Sequence, residues 1–202
     1  MLYTVQPPTE LLVRKSAEKF DEENSIVERA LQELFRMFPT NDDVSHVLLK
    51  VVALNRLYST QILAVLDVAI HIQQNSAYID AALASGSPEV VDKISQVTIQ
   101  GKTHNFFSFA TKYCNWHKPE SYPIYDSRVD WYLWNLQNQS PFASFFLRNS
   151  FENYSEFRDV MIAFRQKYGL EHFTFKDIDK FLWTYGIKAA TVVPAGTVAE
   201  SE

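Results

Sequence analysis

The chain has 202 residues, of which 47% are hydrophobic and 21% charged, and this composition excludes a wholly disordered protein. Its 5 glycines are about a third of the usual ~7%, which favours helices over a many-stranded β-sandwich. The net charge is −5, and much of the acidic surplus lies in residues 1–43, which hold nine acidic and five basic side chains. The middle of the chain is therefore nearly neutral and could bind phosphate groups with modest affinity.

The single cysteine, Cys114, excludes an intrachain disulfide and a cysteine-based zinc site. No metal or other cofactor is expected. The first ten residues lack the basic and apolar regions of a signal peptide, and no run of ~18 apolar residues occurs. We therefore expect a cytoplasmic monomer without a membrane segment.

Apolar spacing and capping signals predict a series of helices before residue 100. An extended arm over residues 1–10, containing Pro7 and Pro8, comes first. The predicted helices run from the capping box Ser25–Glu28 to Pro39, over 44–74 with a polar interruption at Asn55–Thr60, over 76–84 before Gly86, and from Pro88 to about Ile94.

The second half of the chain continues this pattern. The β-branched run Val97–Thr103 is too short for a sheet and predicts a turn between helices. Further helices are predicted over Asn105–Trp116, after Asp126, from Ser140, from Ser155 to Gly169 and from Thr174 to Gly186. The count of eight to ten helices without a convincing strand predicts an all-α fold, with a single domain over 1–188 and a mobile tail over 189–202.

Residues 101–130 carry the most informative pattern. A turn, Gly101-Lys102-Thr103-His104, leads into a helix and would present backbone amides suited to a phosphate. Asp126 then stands at the start of the next helix, where the helix dipole favours an ionised carboxylate. A fixed carboxylate beside a bound phosphodiester indicates chemistry on a nucleotide.

This order of turn, helix and the segment Tyr122-Pro123-Ile124-Tyr125-Asp126 resembles the helix-hairpin-helix DNA glycosylase superfamily. The segment Phe107–Tyr113 followed by that motif is similar to bacterial 8-oxoguanine-glycosylase-like proteins. The resemblance implies about eight to ten helices in two interleaved lobes around a cleft. It also implies binding of double-stranded DNA that contains a damaged or modified base.

The implied activity is flipping of that base out of the duplex and hydrolysis of its N-glycosidic bond. Asp126 is the expected catalytic carboxylate, which stabilises the sugar cation or orients a water, and Lys112 is a second candidate. The sequence departs from the family in three places. Only Gly101 stands near the usual glycine-rich hairpin, one extra residue separates Pro123 from Asp126, and Phe106 stands near the position of the Schiff-base lysine. A monofunctional glycosylase is therefore expected.

Two sets of binding residues follow from the same resemblance. Those expected to contact the flipped base are Asn55, Tyr58, Trp116, Tyr122 and Tyr125. Those expected to contact the DNA backbone are Gly101, Lys102, Thr103, His104 and Arg128.

Each of these residues also has a purely structural interpretation. Asp126 is equally suited to capping a helix, and Lys112 to extending along the apolar helix surface into solvent. Asn55 and Tyr58 fit a helix kink, and Trp116 fits a core. Two other functions stay open: a DNA-binding protein that keeps this fold without catalysis, and a helical interaction protein such as a phage-defence component.

Overall fold

The computed structural model describes the backbone of residues 3–188 and the side chains of residues 3–183. Over this range the chain forms nine α-helices, one 3₁₀ helix and one pair of strands, which confirms a mostly helical class. In chain order the elements are α1 (Glu10–Met37), α2 (Val44–Tyr58), α3 (Val65–Gln74), α4 (Ser76–Ser85), α5 (Glu89–Ser95), β1 (Gln96–Ile99), β2 (Lys102–Asn105), α6 (Phe107–His117), α7 (Ser127–Gln139), the 3₁₀ helix (Arg148–Phe151), α8 (Tyr154–Lys167) and α9 (Phe175–Lys188).

Helix α1 begins well before its predicted start. Its N-cap is Thr9, whose hydroxyl accepts a hydrogen bond from the Leu12 amide at 3.3 Å. Val13 and Ala17 lie one turn apart and are both buried, so the apolar face already starts in the first turns. The predicted start at the capping box Ser25–Glu28 is wrong, because these residues lie in the middle of a continuous helix of 28 residues.

The polar interruption predicted at Asn55–Thr60 marks a true helix end. Helix α2 ends at Tyr58, and the next helix starts at Val65 rather than directly after the predicted interruption. In the loop between them, Ser59 and Gln61 have φ angles of 52° and 59°, both in the left-handed region. Non-glycine residues rarely adopt this conformation, so surrounding contacts must hold the loop in place.

The segment predicted as a simple turn is a β-hairpin. Strands β1 and β2 pair antiparallel, with Val97 opposite His104 and Thr98 opposite Thr103. The connection is the two-residue turn Gln100–Gly101, whose φ angles are 50° and 77°. Two positive φ angles match the twist of flanking strands, so even strands of four residues form a stable ladder.

The helix predicted to start at Ser140 is also wrong, since the chain between α7 and α8 forms only the 3₁₀ helix at Arg148–Phe151. The side-chain oxygen of Gln137 accepts hydrogen bonds from the amides of Phe142, at 2.9 Å, and Ala143, at 3.2 Å. The first amides of a helix have no hydrogen-bond partner within the helix. Here the Gln137 side chain bonds these two amides, so the stretch stays irregular.

A continuous core runs from Val5 to Leu182 and joins the two ends of the described chain. Helix α9 packs on α1 and α7, while α2 packs on α3 and α5 packs on α6. The N-terminal segment is tied to α7 by a hydrogen bond from the Val5 amide to Gln139 at 2.8 Å. The two interleaved lobes stay a prediction, and the predicted tail at 189–202 lies outside the described residues. No helix within residues 3–188 has the length and apolarity needed to cross a bilayer.

Candidate active site

A cavity of about 950 Å³ lies where the N-terminus of α7 meets the end of α2 and the faces of α1, α6 and α9. Its volume is at the upper end of the ~300–1,000 Å³ typical of small-molecule sites. Elements from both halves of the chain form its walls, so the cavity exists only after α9 has packed on α1. Asp126 and Lys112, the two predicted catalytic residues, both line it.

Asp126 caps helix α7 and borders the cavity at the same time. Its Oδ1 accepts hydrogen bonds from the amides of Arg128, at 2.9 Å, and Val129, at 3.0 Å. Within the described residues, no donor reaches the second oxygen, Oδ2. The capping and cavity-lining interpretations of Asp126 are therefore compatible, since the cap occupies one oxygen and leaves the other available.

Lys112 is buried, with 3% of its surface exposed, and does not extend into bulk solvent. Its Nζ donates to Ser108 Oγ at 2.8 Å and lies 3.4 Å from the Tyr125 carbonyl oxygen. Burial lowers the pKa of this amine, and the nearby carboxylates of Asp126 and Asp179 partly oppose that effect. Lys112 thus presents an amine that loses its proton more easily than a surface lysine.

A second carboxyl group, that of Asp179 on α9, lies in the same cavity and was not predicted from the sequence. Its side chain is buried at 8% exposure, and burial raises its pKa from the ordinary 3.8 to about 6. Lys176, one turn earlier on α9, opposes this rise, and Asp126 adds to it. Helical spacing places Asp179 and Trp183 on one face, but only the packing of α9 shows that this face meets Asp126.

Tyr58 contributes to the cavity wall, as predicted, and is held by two donors. Its hydroxyl accepts hydrogen bonds from Lys176 Nζ and from Trp116 Nε1, each at 3.0 Å. Burial raises the pKa of Tyr58. Burial by itself would lower the pKa of Lys176, but Tyr58 and Glu28 outweigh it, so that pKa is raised.

Three of the residues predicted to contact the base lie away from the cavity. Trp116 stands behind Tyr58 and lines a separate groove. Tyr122 is fully buried, and its hydroxyl donates to the carbonyl oxygens of Ala82 and Ser87. The Asn55 side chain bonds the amide of Ile62 at 2.9 Å and so holds the α2–α3 loop. These three side chains do not line the cavity and hold parts of the fold together, and their contact with a base stays a prediction.

Tyr125 lies in the cavity wall, and its contact with a base stays a prediction. Its hydroxyl donates to Asp130 Oδ2 at 2.8 Å, and Asp130 also pairs with Arg148 at 2.6 Å. Burial and this bond raise the pKa of Tyr125, so the phenol remains neutral at physiological pH. The phenol ring therefore offers a neutral aromatic surface.

The predicted backbone-contacting residues divide into two groups. Arg128 lines the cavity, and its guanidinium lies 4.8 Å from the Trp183 ring centroid with a buried Nη1 that no described residue bonds. Gly101, Lys102, Thr103 and His104 are exposed on the hairpin and do not line the cavity. The expectation that this turn and Asp126 border one cavity is therefore wrong, because the turn is the tip of a hairpin that intervenes between α5 and α6.

Similarity to known proteins places the chain in a family. Residues 12–121, more than half of the chain, match the family described as HI_0787_N, N-terminal domain. An uncharacterized protein of Haemophilus influenzae is 40% identical over 132 residues, which are 65% of this chain and 62% of that relative. No solved structure matches the chain. Because the matched range covers more than half of its residues, the chain belongs to the HI_0787_N family.

Proposed function

We propose that this protein is a DNA glycosylase that flips a damaged or modified base out of the duplex and breaks its N-glycosidic bond. The observation that carries the proposal is the cavity of about 950 Å³ that Asp126 and Lys112 share. A carboxylate and a buried amine in one cavity are the groups needed for chemistry at a sugar carbon. The resemblance of the segment Tyr122-Pro123-Ile124-Tyr125-Asp126 to the glycosylase motif supports the same activity.

The cavity wall suits a flat, apolar-faced ligand. Aromatic side chains of four elements line it, among them Tyr58, Trp131, Trp134 and Trp183. Enzymes that act on extruded bases hold them by stacking on such rings, and each stacked base contributes ~1–3 kcal/mol. A nucleobase therefore fits this wall better than an aliphatic or highly charged substrate does.

Asp126 is the proposed catalytic carboxylate. Breaking the N-glycosidic bond places positive charge on the sugar, and an adjacent carboxylate stabilises that charge. The Oδ1 atom is fixed by two amide hydrogen bonds, so the carboxylate is held without movement during the reaction. The Oδ2 atom is then available to orient a water towards the sugar C1′.

Lys112 favours a second version of the same function, in which the enzyme is bifunctional. The sequence predicted a monofunctional enzyme because Phe106 stands near the expected lysine position. The Lys112 amine lies at the cavity and has a lowered pKa. Both features suit a reaction in which the amine, in place of a water, attacks C1′. Such an attack forms a Schiff base to the opened sugar and permits cleavage of the strand.

DNA would approach over the α2–α3 loop. Leu63 in this loop is 98% exposed, and the neighbouring Ser59–Gln61 segment lines the cavity. An apolar side chain on a loop of fixed shape can fill the gap that an extruded base leaves in the stack. We include in the proposal phosphate contacts by the exposed hairpin residues Lys102 and His104, and by Arg148 at the cavity.

The first experiment measures base release from a panel of lesion and modified-base duplexes, beginning with 8-oxoguanine. Asn caps helices about as well as Asp, so Asp126→Asn keeps helix α7 intact and removes only the charge. We expect this variant to bind the duplex, to match the wild type in thermal unfolding and to release base at least ~100-fold more slowly. The matched control is Asp159→Asn on the exposed side of α8, which should retain full activity.

Three results would count against the proposal. Equal turnover by Asp126→Asn and the wild type would refute the role of that carboxylate. DNA binding by the wild type without release of any base would instead support the non-catalytic DNA-binding alternative. Loss of binding even at low salt would support a protein-interaction role.

A second experiment separates the monofunctional and bifunctional versions. Borohydride reduces a Schiff base to a stable amine, so a bifunctional enzyme becomes covalently attached to its duplex. A bifunctional enzyme would give a trapped complex with the wild type and none with Lys112→Gln. Base release without any trapped complex would return the assignment to a monofunctional enzyme.

A further inference from the structure

Asp179 differs from the other acidic residues of the cavity in its surroundings. It lies on α9, lines the cavity and is 92% buried, from its exposure of 8%. Within the described residues, no amide or side chain donates a hydrogen bond to its carboxyl group, and it does not cap a helix. A buried carboxyl group without such donors is held most readily in its neutral form.

Charged side chains of α1, α6, α9 and the residue before α7 act on Asp179, and the Tyr58 phenol of α2 also faces it. Lys112 on α6 and Lys176 on α9 favour its ionised form, while Asp126 before α7 and Glu28 on α1 oppose it. Two acids and two amines leave little net field, so burial decides the balance and raises its pKa to about 6. The group can therefore both hold and release a proton close to neutral pH.

We propose that Asp179 is the general acid of the reaction and gives its proton to the departing base. This inference rests on the proposed glycosylase function and adds a residue to it. Asp126 and Asp179 then have different tasks in one cavity. Asp126 accepts two amide hydrogen bonds and acts as the carboxylate beside the sugar, while Asp179 supplies the proton.

In the hydrolytic reaction, the bond between C1′ and the base nitrogen breaks, and its electron pair stays on the base. The Asp179 proton neutralises the base, so a neutral molecule departs rather than an anion. Water adds its oxygen to C1′ and gives up one proton to Asp126. Solvent then removes that proton and returns one to Asp179.

The test is the pH dependence of single-turnover base release from the duplex that the wild type cleaves best. The wild-type rate should fall as pH rises above about 6, because Asp179 loses its proton there. Asp179→Asn should be slower by about 100-fold at pH 6 and should lack this decline. Asp179→Glu keeps a proton donor and should retain the decline, while Asp159→Asn should match the wild type throughout.

The possible results separate the role of Asp179 from the proposed glycosylase function. Wild-type rate and pH profile in Asp179→Asn would overturn the role of Asp179 and leave the glycosylase assignment intact. A slower Asp179→Asn variant that retains the wild-type decline would also overturn it, since another group would then supply the proton. A wild type that releases no base from any duplex would overturn both.

Discussion

Replacing Asp179 with Asn should change how the stability of the protein depends on pH. Asn has nearly the same shape as a neutral Asp side chain and cannot ionise. The folded-state pKa of Asp179 is raised by burial to about 6, from an ordinary value of 3.8. Between these two pH values the folded protein binds a proton at this site that the unfolded chain has already lost.

The sign and size of the effect follow from this difference. The contribution of Asp179 to stability is complete below about pH 4 and is lost as pH rises through about 6. Each unit of pKa difference corresponds to ~1.36 kcal/mol, so the loss by pH 7 is about 3 kcal/mol. We therefore expect Asp179→Asn and the wild type to be similarly stable at pH 4, and the variant to be more stable at pH 7.

Urea unfolding at a series of pH values from 4 to 8 measures this difference. The control Asp159→Asn changes an exposed carboxyl group and should give a curve parallel to that of the wild type. A constant difference between Asp179→Asn and the wild type at all pH values would refute the raised pKa. Lower stability of the variant at pH 7 would show that the ionised carboxylate is stabilised by Lys112 and Lys176 more strongly than burial opposes it.

Three further substitutions test separate parts of the structure. Lys50→Met should lower the free energy of unfolding by about 2–4 kcal/mol at pH 7, because the buried ammonium donates hydrogen bonds to three oxygens. Burial lowers the Lys50 pKa to about 8, so the stability difference between the wild type and the variant should grow above pH 8. Tyr122→Phe should cost about 1–2 kcal/mol in urea unfolding without altering base release, and reduced release with unchanged stability would contradict its place in the core. Lys102→Gln should reduce the slope of log binding constant against log salt concentration by about one, while the single-turnover rate stays constant. An unchanged slope would show that the hairpin does not contact the DNA.

Local signals identified the start of helix α7 and the residue before it. The Pro-containing segment before Asp126 excludes helix, and an Asp followed by an apolar helical pattern is a strong N-cap. Both features depend only on neighbours in sequence. The same local logic failed at Ser25, where a complete capping box lies inside α1, because burial of Val13 and Phe20 upstream outweighs the capping preference.

Which residues line the cavity depends on how the helices pack, and no local sequence signal encodes that packing. Counting along the chain placed the candidate lysine near Phe106, but α6 begins at Phe107 and Lys112 lies more than one turn inside it. Its amine reaches the cavity because the carbonyl of Tyr125, 13 residues later, lies against the same helix. Asp179 was missed for the same reason, since its position depends on how α9 packs against α1 and α7.

The net charge of −5 gives little information about this site, because the cavity brings acids and bases together in nearly equal number. Lys112 and Arg128 line the cavity together with Asp126 and Asp179, and loss of the Asp179 proton creates one negative charge on a buried side chain. Each such charge interacts several times more strongly there than at the surface. With both basic groups protonated and Asp179 neutral, these four groups sum to +1 before the reaction. Transfer of the Asp179 proton to the base brings their sum to zero while positive charge develops on the sugar. The proposed proton donor and the proposed carboxylate would therefore both stabilise the transition state, one by releasing a proton to the base and both by their charge.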